Sequence, residues 1–326
     1  MPKWIRQAHH PEPAEGLVRH DKKELMDIIG KKYIYFAISL IVIIPGLISL
    51  VLFGLNLSID FAGGSRITLL FPQSVNQKMV NETKSVITKQ KIELSTIQSS
   101  QKEMFIRTNV LDNKGNSLLM NSLHHKLGDF KEEEYETIGP IIGSETTRNA
   151  MTAVFVASIL IVLYISWSFR KIPKPASSFR FGICAIAALL HDILVVIGIF
   201  SILGHFFGVE VDSLFFTAIL TVIGFSVHDT IVVFDRIREN LRRIGGSGES
   251  FSFIVNESIL QTLDRSLNTS LTVLLVLFTL LLFGGESIKW FVVALMIGVT
   301  SGTYSSIFNA SPLLVVWEEW SRKRKK

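Results

Sequence analysis

Long apolar runs dominate this chain and limit what it can fold into. An α-helix needs about 20 predominantly apolar residues to cross a bilayer, and six runs reach or approach that length in a sequence that is 48% hydrophobic. The predicted spans are residues 33–53, 150–167, 181–203, 213–234, 265–283 and 288–308. We therefore predict a polytopic α-helical membrane protein.

Basic clusters flank these spans on one side only. They lie at residues 22–32, 170–180, 236–243 and 322–326, whereas the loops on the other side, 204–212 and 284–289, carry one lysine between them. Because basic loops remain in the cytoplasm, both termini are predicted to be cytoplasmic. The cytoplasmic parts are then a tail (1–32), a loop (236–264) with an interfacial helix at 251–264, and a basic tail (318–326). The net charge of +5 reflects these clusters and does not indicate nucleic-acid binding.

Residues 54–147 form the one long polar segment between predicted spans, and it is expected to lie outside. Strands are predicted at 65–71, 94–99, 103–109 and 134–138, with helices at 75–90 and 116–130. The order β-α-β-β-α-β is typical of a ferredoxin-like α+β domain. No nucleophile–base pair, metal-ligand cluster or phosphate loop occurs in the segment, so we expect a binding or moving module without a cofactor and not an enzyme.

Glycine-rich segments bracket this domain. Gly63 and Gly64 lie on the entry side, and Gly139, Pro140 and Gly143 lie on the exit side. Glycine permits positive φ in tight turns, so both segments are predicted to be turns. The alternative is that they form hinges that let the domain move relative to the membrane, and the sequence does not separate these readings.

The fourth span carries a carboxylate well inside the bilayer. At a rise of about 1.5 Å per residue, Asp229 lies roughly 22 Å from the outer end of its helix. Burying a charged carboxylate in hydrocarbon is costly, and such residues usually face a partner or a water-filled path. Asp235, near the basic run, can reach the interface, but Asp229 is nearly two turns deeper. We therefore predict that Asp229 binds and releases a proton.

Arg265 opens the fifth span at nearly the same depth as Asp229. The two spans are antiparallel, so the side chains could meet across a helix interface. An adjacent arginine would favour the charged carboxylate, and its withdrawal would let Asp229 take up a proton. The other interpretation is that Arg265 extends to the membrane interface without contacting the carboxylate.

Further polar residues occur inside the spans. His191 and Asp192 lie near the centre of the third span, where they could extend a polar path or form a buried pair that only orients the helix. His228 and Thr230 flank Asp229 in sequence. His228 points about 100° away from Asp229 around the helix, so it is expected to contact another span.

Several motifs in this chain resemble signature sequences of the SecF family, subunits of the bacterial protein-export complex SecDF. They are GFSVHDTIVVFDRIREN (224–240), SIDFAGGSRI (58–67), GPIIGSE (139–145), HDILVVIGIF (191–200), ILQTLDRSLNTSLT (259–272), LFGGESIKWF and GTYSSIFNASPLL. The resemblance covers about residues 26–317. In the family, residues at the positions of Asp229 and Arg265 are linked to proton conduction. His228 stands where the family usually has Asn, and Phe225 where it usually has Tyr.

The resemblance implies half of a twelve-helix fold related to the RND transporters. It implies a multi-pass protein of the bacterial inner membrane, driven by protons or by sodium, that assists the Sec translocon in moving exported, unfolded polypeptides. The expected partners are a SecD-like subunit, the translocon channel, the exported chain and membrane lipid.

Two other functions share the same membrane charges. An RND-type exporter of small solutes or lipids would favour a larger external region with a substrate cavity. A non-transporting scaffold would use the charges only to fix helix packing. Under the scaffold hypothesis, Asp229→Asn would leave proton flux unchanged, and Asp229→Leu would harm assembly.

Overall fold

The computed structural model of this protein describes residues 26–170, 172, 177–244 and 248–324, except for the side chain of Glu286. Most of the predicted N-terminal tail and the last two residues of the basic tail lie outside the described residues. In chain order the elements are α1 (Lys32–Phe53), α2 (Ile59–Ala62), β1 (Gly64–Leu70), α3 (Gln77–Lys89), β2 (Leu94–Ser100), β3 (Glu103–Thr108), α4 (Asn113–Leu127), β4 (Lys131–Ile138), α5 (Pro140–Ser168), α6 (Ser178–Phe207), α7 (Ser213–Ile244), α8 (Phe251–Phe283), α9 (Glu286–Ser305) and α10 (Ser311–Lys323). A π-helical segment, Ser306–Ala310, joins α9 to α10.

Six helical stretches in the described part of the chain are long and apolar enough to cross a membrane. They comprise α1 with the turn before it, α5, α6, α7, α8, and the continuous run of α9, the π-helical segment and α10. The prediction of six spans is therefore confirmed, and the chain is a multi-pass membrane protein.

The bundle places large apolar side chains on its outside. Ile41 on α1, Phe155 on α5 and Val276 on α8 are all exposed. Buried positions inside the bundle include many serines and small residues, among them Ser226, Ser266 and Ser305. This arrangement suits helices whose surroundings are hydrocarbon, because apolar side chains then face the lipid and polar groups are satisfied inside.

Several predicted helix boundaries were wrong. The predicted interfacial helix 251–264 and the fifth span are one helix, α8, because no Gly or Pro interrupts residues 251–283. The fourth span continues as α7 to Ile244, ten residues beyond its predicted end, so the predicted loop 236–264 is largely helical. The second span begins with Pro140 at the first turn of α5, ten residues before its predicted start.

The α+β domain has the predicted β-α-β-β-α-β order. Its four strands form one antiparallel sheet in the order β2-β3-β1-β4. Helices α3 and α4 pack on this sheet around a separate apolar core that includes Ile67, Ile87, Ile106 and Leu119. The domain thus has its own hydrophobic core, distinct from that of the bundle.

Side-chain caps set the start of both domain helices. The side chain of Asn76 accepts a hydrogen bond from the Met79 amide before α3, and that of Asp112 accepts one from the Gly115 amide before α4. Such caps satisfy amides that have no partner within the helix. The cap at Asp112 explains why α4 begins three residues before the predicted 116.

Candidate functional site

Three helices, α6, α7 and α9, meet closely around two buried carboxylates. A Cβ added at Gly302 of α9 would lie 3.1 Å from the Cα of Ser226 on α7, and one at Gly298 would clash with Val222. The spacing of these glycines, GxxxG, is the pattern that lets membrane helices approach through their backbones. Helix α9 therefore lies close enough for its serine side chains to reach both neighbours.

Asp229 is 6% exposed, on the face of α7 between α8 and α9. Its Oδ1 accepts a hydrogen bond of 2.6 Å from Ser266 of α8, and its Oδ2 accepts one of 2.6 Å from Ser306 of the π-helical segment. Within the described residues, no lysine or arginine forms an ion pair with this carboxylate. Asp229 is therefore held by hydroxyl groups alone.

Asp192 on α6 is fully buried and accepts more hydrogen bonds than Asp229. Its Oδ2 accepts from Ser226 at 2.5 Å and from Ser305 at 2.7 Å, and its Oδ1 accepts from Ser301 at 2.7 Å. The Nδ1 atom of His191 lies 3.0 Å from the same Oδ1. The structure thus places His191 and Asp192 at a junction of α6, α7 and α9.

Adjacent serines connect the two carboxylates. Ser305 ends α9 and contacts Asp192, whereas Ser306 begins the π-helical segment and contacts Asp229. Successive helical residues point about 100° apart, which directs one side chain to α6 and the other to α7. π-helical turns inside α-helices are rare and often occur at functional sites. Sequence reasoning had not identified either serine.

Both serines have a second acceptor within reach. The Oγ of Ser305 is 3.2 Å from the Gly302 carbonyl oxygen, and that of Ser306 is 3.0 Å from the Thr303 carbonyl oxygen. A charged carboxylate accepts a hydrogen bond from the hydroxyl, whereas a protonated carboxyl group donates a hydrogen bond to it. When the carboxylate is protonated, the serine hydroxyl can rotate so that its hydrogen points to the backbone carbonyl. Either charge state can therefore keep its hydrogen bonds satisfied.

Arg265 does not contact Asp229 in the structure. It is exposed on α8, one residue before Ser266, and no ion pair joins it to either carboxylate in the described part of the chain. Depth along the helix was therefore an insufficient guide, because the rotation of α8 turns Ser266 and not Arg265 toward α7. His228 is exposed on the other side of α7, and Thr230 is buried but forms no hydrogen bond to Asp229.

The glycine-rich segments on either side of the α+β domain pack against each other. Gly63 and Gly64 have φ values of +74° and +130°, which favour glycine. A Cβ at Gly143 would lie 2.8 Å from the Phe61 carbonyl oxygen. The exit segment is not a turn, however: Gly139 is extended, and Pro140 begins α5. A hinge role for these residues remains a prediction.

The domain rests on the short loop between α6 and α7. Beside the bridge between Leu57 and Val211, the Ser58 amide donates to the Val211 carbonyl and the Val211 amide donates to the Asn56 carbonyl. The side chain of Gln98 on β2 donates to the Gly208 carbonyl at 2.6 Å. The loop thereby links the sheet of the domain to the two helices that carry the buried carboxylates.

An arginine and three carboxylates also lie at this contact. Arg107 of β3 donates to the Leu57 carbonyl and lies 3.4 Å from Glu210. Asp60 accepts from the Ser213 amide at 2.7 Å, and Asp212 accepts from the Phe215 amide at the start of α7. Burial raises the pKa of Glu210 above its ordinary value, against the opposing effect of Arg107. Burial also raises the pKa of Asp212, which the Phe215 amide partly offsets and the Asp60 charge reinforces.

Six spans, one α+β domain and buried carboxylates inside the bundle define a multi-pass membrane protein with a polar interior. The family model described as "Protein export membrane protein SecD/SecF, C-terminal" matches residues 119–320 of this chain, and the model described as "SecD/SecF GG Motif" matches residues 48–75. The chain is 48% identical to the protein translocase subunit SecF of Thermobaculum terrenum, over 90% of this chain and 94% of that protein. This chain therefore belongs to the SecF family of protein translocase subunits.

Larger relatives contain the same region as part of a longer chain. The SecDF protein of Bacillus subtilis is 35% identical over 93% of this chain, which spans 40% of that protein. The crystal structure of SecDF from Thermus thermophilus, titled a translocon-associated membrane protein, superposes with a TM-score of 0.79 at 32% identity. That match covers 91% of this chain and 39% of the solved one.

Proposed function

We propose that this chain is the SecF-type half of a proton-driven complex that promotes polypeptide export through the Sec translocon. Its relatives are named protein translocase subunits, and one solved relative is titled translocon-associated. The observation that carries the proposal is Asp229, buried without a basic partner among the described residues and held by two hydroxyl groups. These contacts allow a carboxyl group to gain and lose a proton inside the membrane.

The proton step involves Asp229 and Ser306. In the charged state, Ser306 donates to Oδ2 of Asp229. When Oδ2 takes up a proton, the new O–H donates to the Ser306 oxygen, and the serine hydrogen turns to the Thr303 carbonyl. Moving one charge through about 100 mV releases about 2.3 kcal/mol. In this proposal, that energy drives movement of the α+β domain over repeated cycles.

The charge distribution supports an orientation with the α+β domain outside a bacterial inner membrane. At the opposite end of the bundle, Lys32 forms an ion pair of 2.7 Å with Glu319, and Arg180 and Arg322 both pair with Glu318. This basic end is expected to be cytoplasmic. The domain would then meet exported, unfolded polypeptide as it leaves the translocon.

A SecD-like subunit is the expected partner. Arg265 and Asn268 are exposed on the outer face of α8, where contact with lipid would be unfavourable for an arginine and an amide. A second bundle with polar groups would cover them, and SecDF relatives carry both halves in one chain. Arg265 then acts in the proton relay from the partner-facing side of α8, next to the Ser266 that binds Asp229 directly. Lipid covers the remaining apolar surface.

The test is export of a secreted precursor into vesicles that contain the translocon, the SecD-like partner and this chain. Asp229→Asn is compared with the wild type under an imposed proton gradient, and again under a sodium gradient to identify the coupling ion. Asp235→Asn is the matched control, since Asp235 lies on the same helix but is exposed and paired with Arg238. Equal insertion and equal partner binding are verified first.

We expect Asp229→Asn to lose the gradient-dependent part of export and Asp235→Asn to keep it. Loss under the sodium gradient alone would identify sodium as the coupling ion. If Asp229→Asn keeps full stimulation under both gradients, the carboxylate is structural and the proposed coupling role is wrong.

A further inference from the structure

Asp192 has every feature that makes Asp229 a proton site, and it is more deeply buried. Its three serine donors come from two neighbouring helices, and none of its partners in the described residues is a lysine or arginine. An uncharged side chain would serve a purely structural role at lower cost, because burying a charge without a permanent counter-ion is unfavourable, and His191 is a counter-ion only when it is protonated. The arrangement therefore calls for a reason to keep a carboxyl group at this position.

The serine that reaches Asp192 can change its hydrogen bond as Ser306 can. When Oδ2 of Asp192 takes up a proton from solvent, the new O–H donates to the Ser305 oxygen. The Ser305 hydrogen then turns to the Gly302 carbonyl, which is already 3.2 Å away. Only the O–H bond of the carboxyl group is made or broken.

The two exchanges occur at neighbouring residues of one helix. Ser305 and Ser306 share a peptide bond, and the π-helical segment begins between them. A shift of this segment toward regular α-helical geometry would rotate Ser306 relative to Ser305, because the extra residue of the π-turn sets their relative direction. Ser305 and Ser306 could not then keep their contacts with Asp192 and Asp229 at the same time. A change at one carboxylate is therefore transmitted to the other.

The titratable groups around Asp192 are few. On its own helix, His191 contacts it, and from α9 the ring of Tyr304 lies 6.3 Å from that of His191. On α7 the buried titratable group is Asp229, and from α1 the backbone of Tyr35 accepts from the Tyr304 hydroxyl. None of these groups supplies a fixed positive charge.

His191 also faces a groove between α1, α6 and α9. The groove has a volume of about 440 Å³ and is mostly apolar, with Val42, Val195 and Met296 in its wall. The Nε2 of His191 is buried there without a hydrogen-bond partner among the described residues. The imidazole is therefore fixed through Nδ1 alone, and it orients the Oδ1 of Asp192. His191 is in this sense a positioning residue.

We propose that Asp192 is a second proton-binding carboxylate, coupled to Asp229 through the adjacent side chains of Ser305 and Ser306. The inference extends the proposed function, since it adds a second site and a connection to the site at Asp229. It also stands on its own observations, so the two can fail separately.

The test is infrared spectroscopy of protonated carboxyl groups during a pH titration. The full chain is reconstituted with its SecD-like partner in lipid nanodiscs, and the probe is the proton itself. We compare Asp192→Asn, Asp229→Asn, Ser305→Ala and Ser306→Ala with the wild type. Thr300→Val is the matched control, since the Thr300 hydroxyl on the same helix donates to the Met296 carbonyl and, within the described ranges, contacts neither carboxylate.

We expect two carboxyl bands in the wild type, one lost in each aspartate variant. Each aspartate variant should also move the titration of the remaining band, by about tenfold in proton affinity for strongly coupled groups. Ser305→Ala should alter the Asp192 band first, and Ser306→Ala the Asp229 band first. Thr300→Val should leave both bands unchanged.

The possible failures are distinct. If Asp192→Asn removes no band while Asp229→Asn does, the second site is wrong and the proposed function stands. If only Asp192→Asn removes a band, the role of Asp229 is wrong and the second site stands. Two bands that titrate independently would overturn the coupling. Should Asp192→Asn fail to assemble, Ser305→Ala decides, because an unchanged Asp192 band in that variant would overturn the connection.

Discussion

In the α+β domain the core between the sheet and its helices is apolar, whereas the bundle also buries polar side chains along α9 and the π-helical segment. Ile106 and Leu119 are fully buried between the sheet and its helices, and so are Ser305 and Ser306 between the membrane helices. The domain gains stability by removing apolar surface from water. The bundle has apolar surface on the outside and depends on close backbone approach and interior hydrogen bonds.

This difference shows where each region can hold a proton site. A water-facing domain with an apolar core cannot keep a carboxyl group inside without a large cost. A bundle lined with hydroxyl groups can, since these groups donate or accept as required. The polar interior of the bundle thus allows its helices to pack closely and also provides the site where a proton can bind. Substitutions that destabilise the domain should therefore differ from those that destabilise the bundle.

The largest effect is expected from Leu119→Ala in the domain core. Leu119 is fully buried on α4, and shortening a buried leucine to alanine costs about 2–5 kcal/mol. Hydrogen exchange of the full chain should show faster exchange in β1 and β3, with α7 and α9 unchanged. Leu118→Ala is the matched control, because its neighbour on the same helix is 64% exposed. Equal loss of protection in the bundle would contradict two independent cores.

The next largest effect is expected from Gly302→Val in the bundle. The new side chain would press on the backbone of Ser226, and overpacking of this kind costs about 1–3 kcal/mol. The thermal midpoint of the reconstituted protein should fall, and exchange should quicken in α7 and α9 while the sheet remains protected. Gly224→Val on α7 is the control, since a Cβ there meets nothing within 4 Å. A similar loss in both variants would show that backbone contact is unimportant.

The sequence predicted more of the fold of both regions than of the contacts around the buried carboxylates. Apolar runs identified six spans and the alternation of segments identified the α+β domain, because each pattern follows directly from burial. Helix ends were less predictable. Polar residues 251–264 looked like a surface helix, yet without a Gly or Pro to stop it α8 continues through them.

The site was predicted in part. Asp229 and Asp192 were recognised because carboxylates in apolar runs are costly, but their serine partners were not. A serine in a membrane helix commonly bonds to its own backbone, so one serine carries little information. The usable signal was spacing: Ser301 and Ser305, like Ser266 and Ser270, are four residues apart and share a helix face. The predicted pairing of Arg265 with Asp229 depended on helix rotation, which depth alone does not fix.

A smaller effect is expected where the two regions meet, from Arg107→Gln. Arg107 donates to the Leu57 carbonyl and lies beside Glu210, so its loss leaves buried acceptors with fewer partners. The expected cost is about 1–3 kcal/mol, seen as faster hydrogen exchange at residues 208–212. Lys84→Gln is the control, because it removes the same charge from an exposed position on α3. Unchanged exchange in Arg107→Gln would show that main-chain contacts alone seat the domain.

The smallest effect is expected from Glu210→Gln at the same contact. Burial raises the pKa of Glu210 in the folded protein, against the opposing pull of Arg107. The stability that comes from protonation is therefore complete below the unfolded value, about 4.3, and is lost as the pH rises through the raised value. The contact between the domain and the loop should therefore be most stable at acidic pH. The gain in free energy relative to neutral pH should be less than about 1 kcal/mol, because Glu210 remains partly exposed.

Glutamine should remove this pH dependence while keeping the shape of the side chain. The measurement is the protection of amides 208–212, corrected for intrinsic exchange, between acidic and neutral pH. Glu133→Gln on β4 is the control, since the Glu133 side chain is exposed and forms no ion pair with Arg66 or Arg107 among the described residues. If the pH dependence persists in Glu210→Gln, the responsible group is Asp212 and not Glu210, since burial also raises the pKa of Asp212. A dependence that disappears would show that Glu210 makes the contact between the domain and the 208–212 loop sensitive to pH.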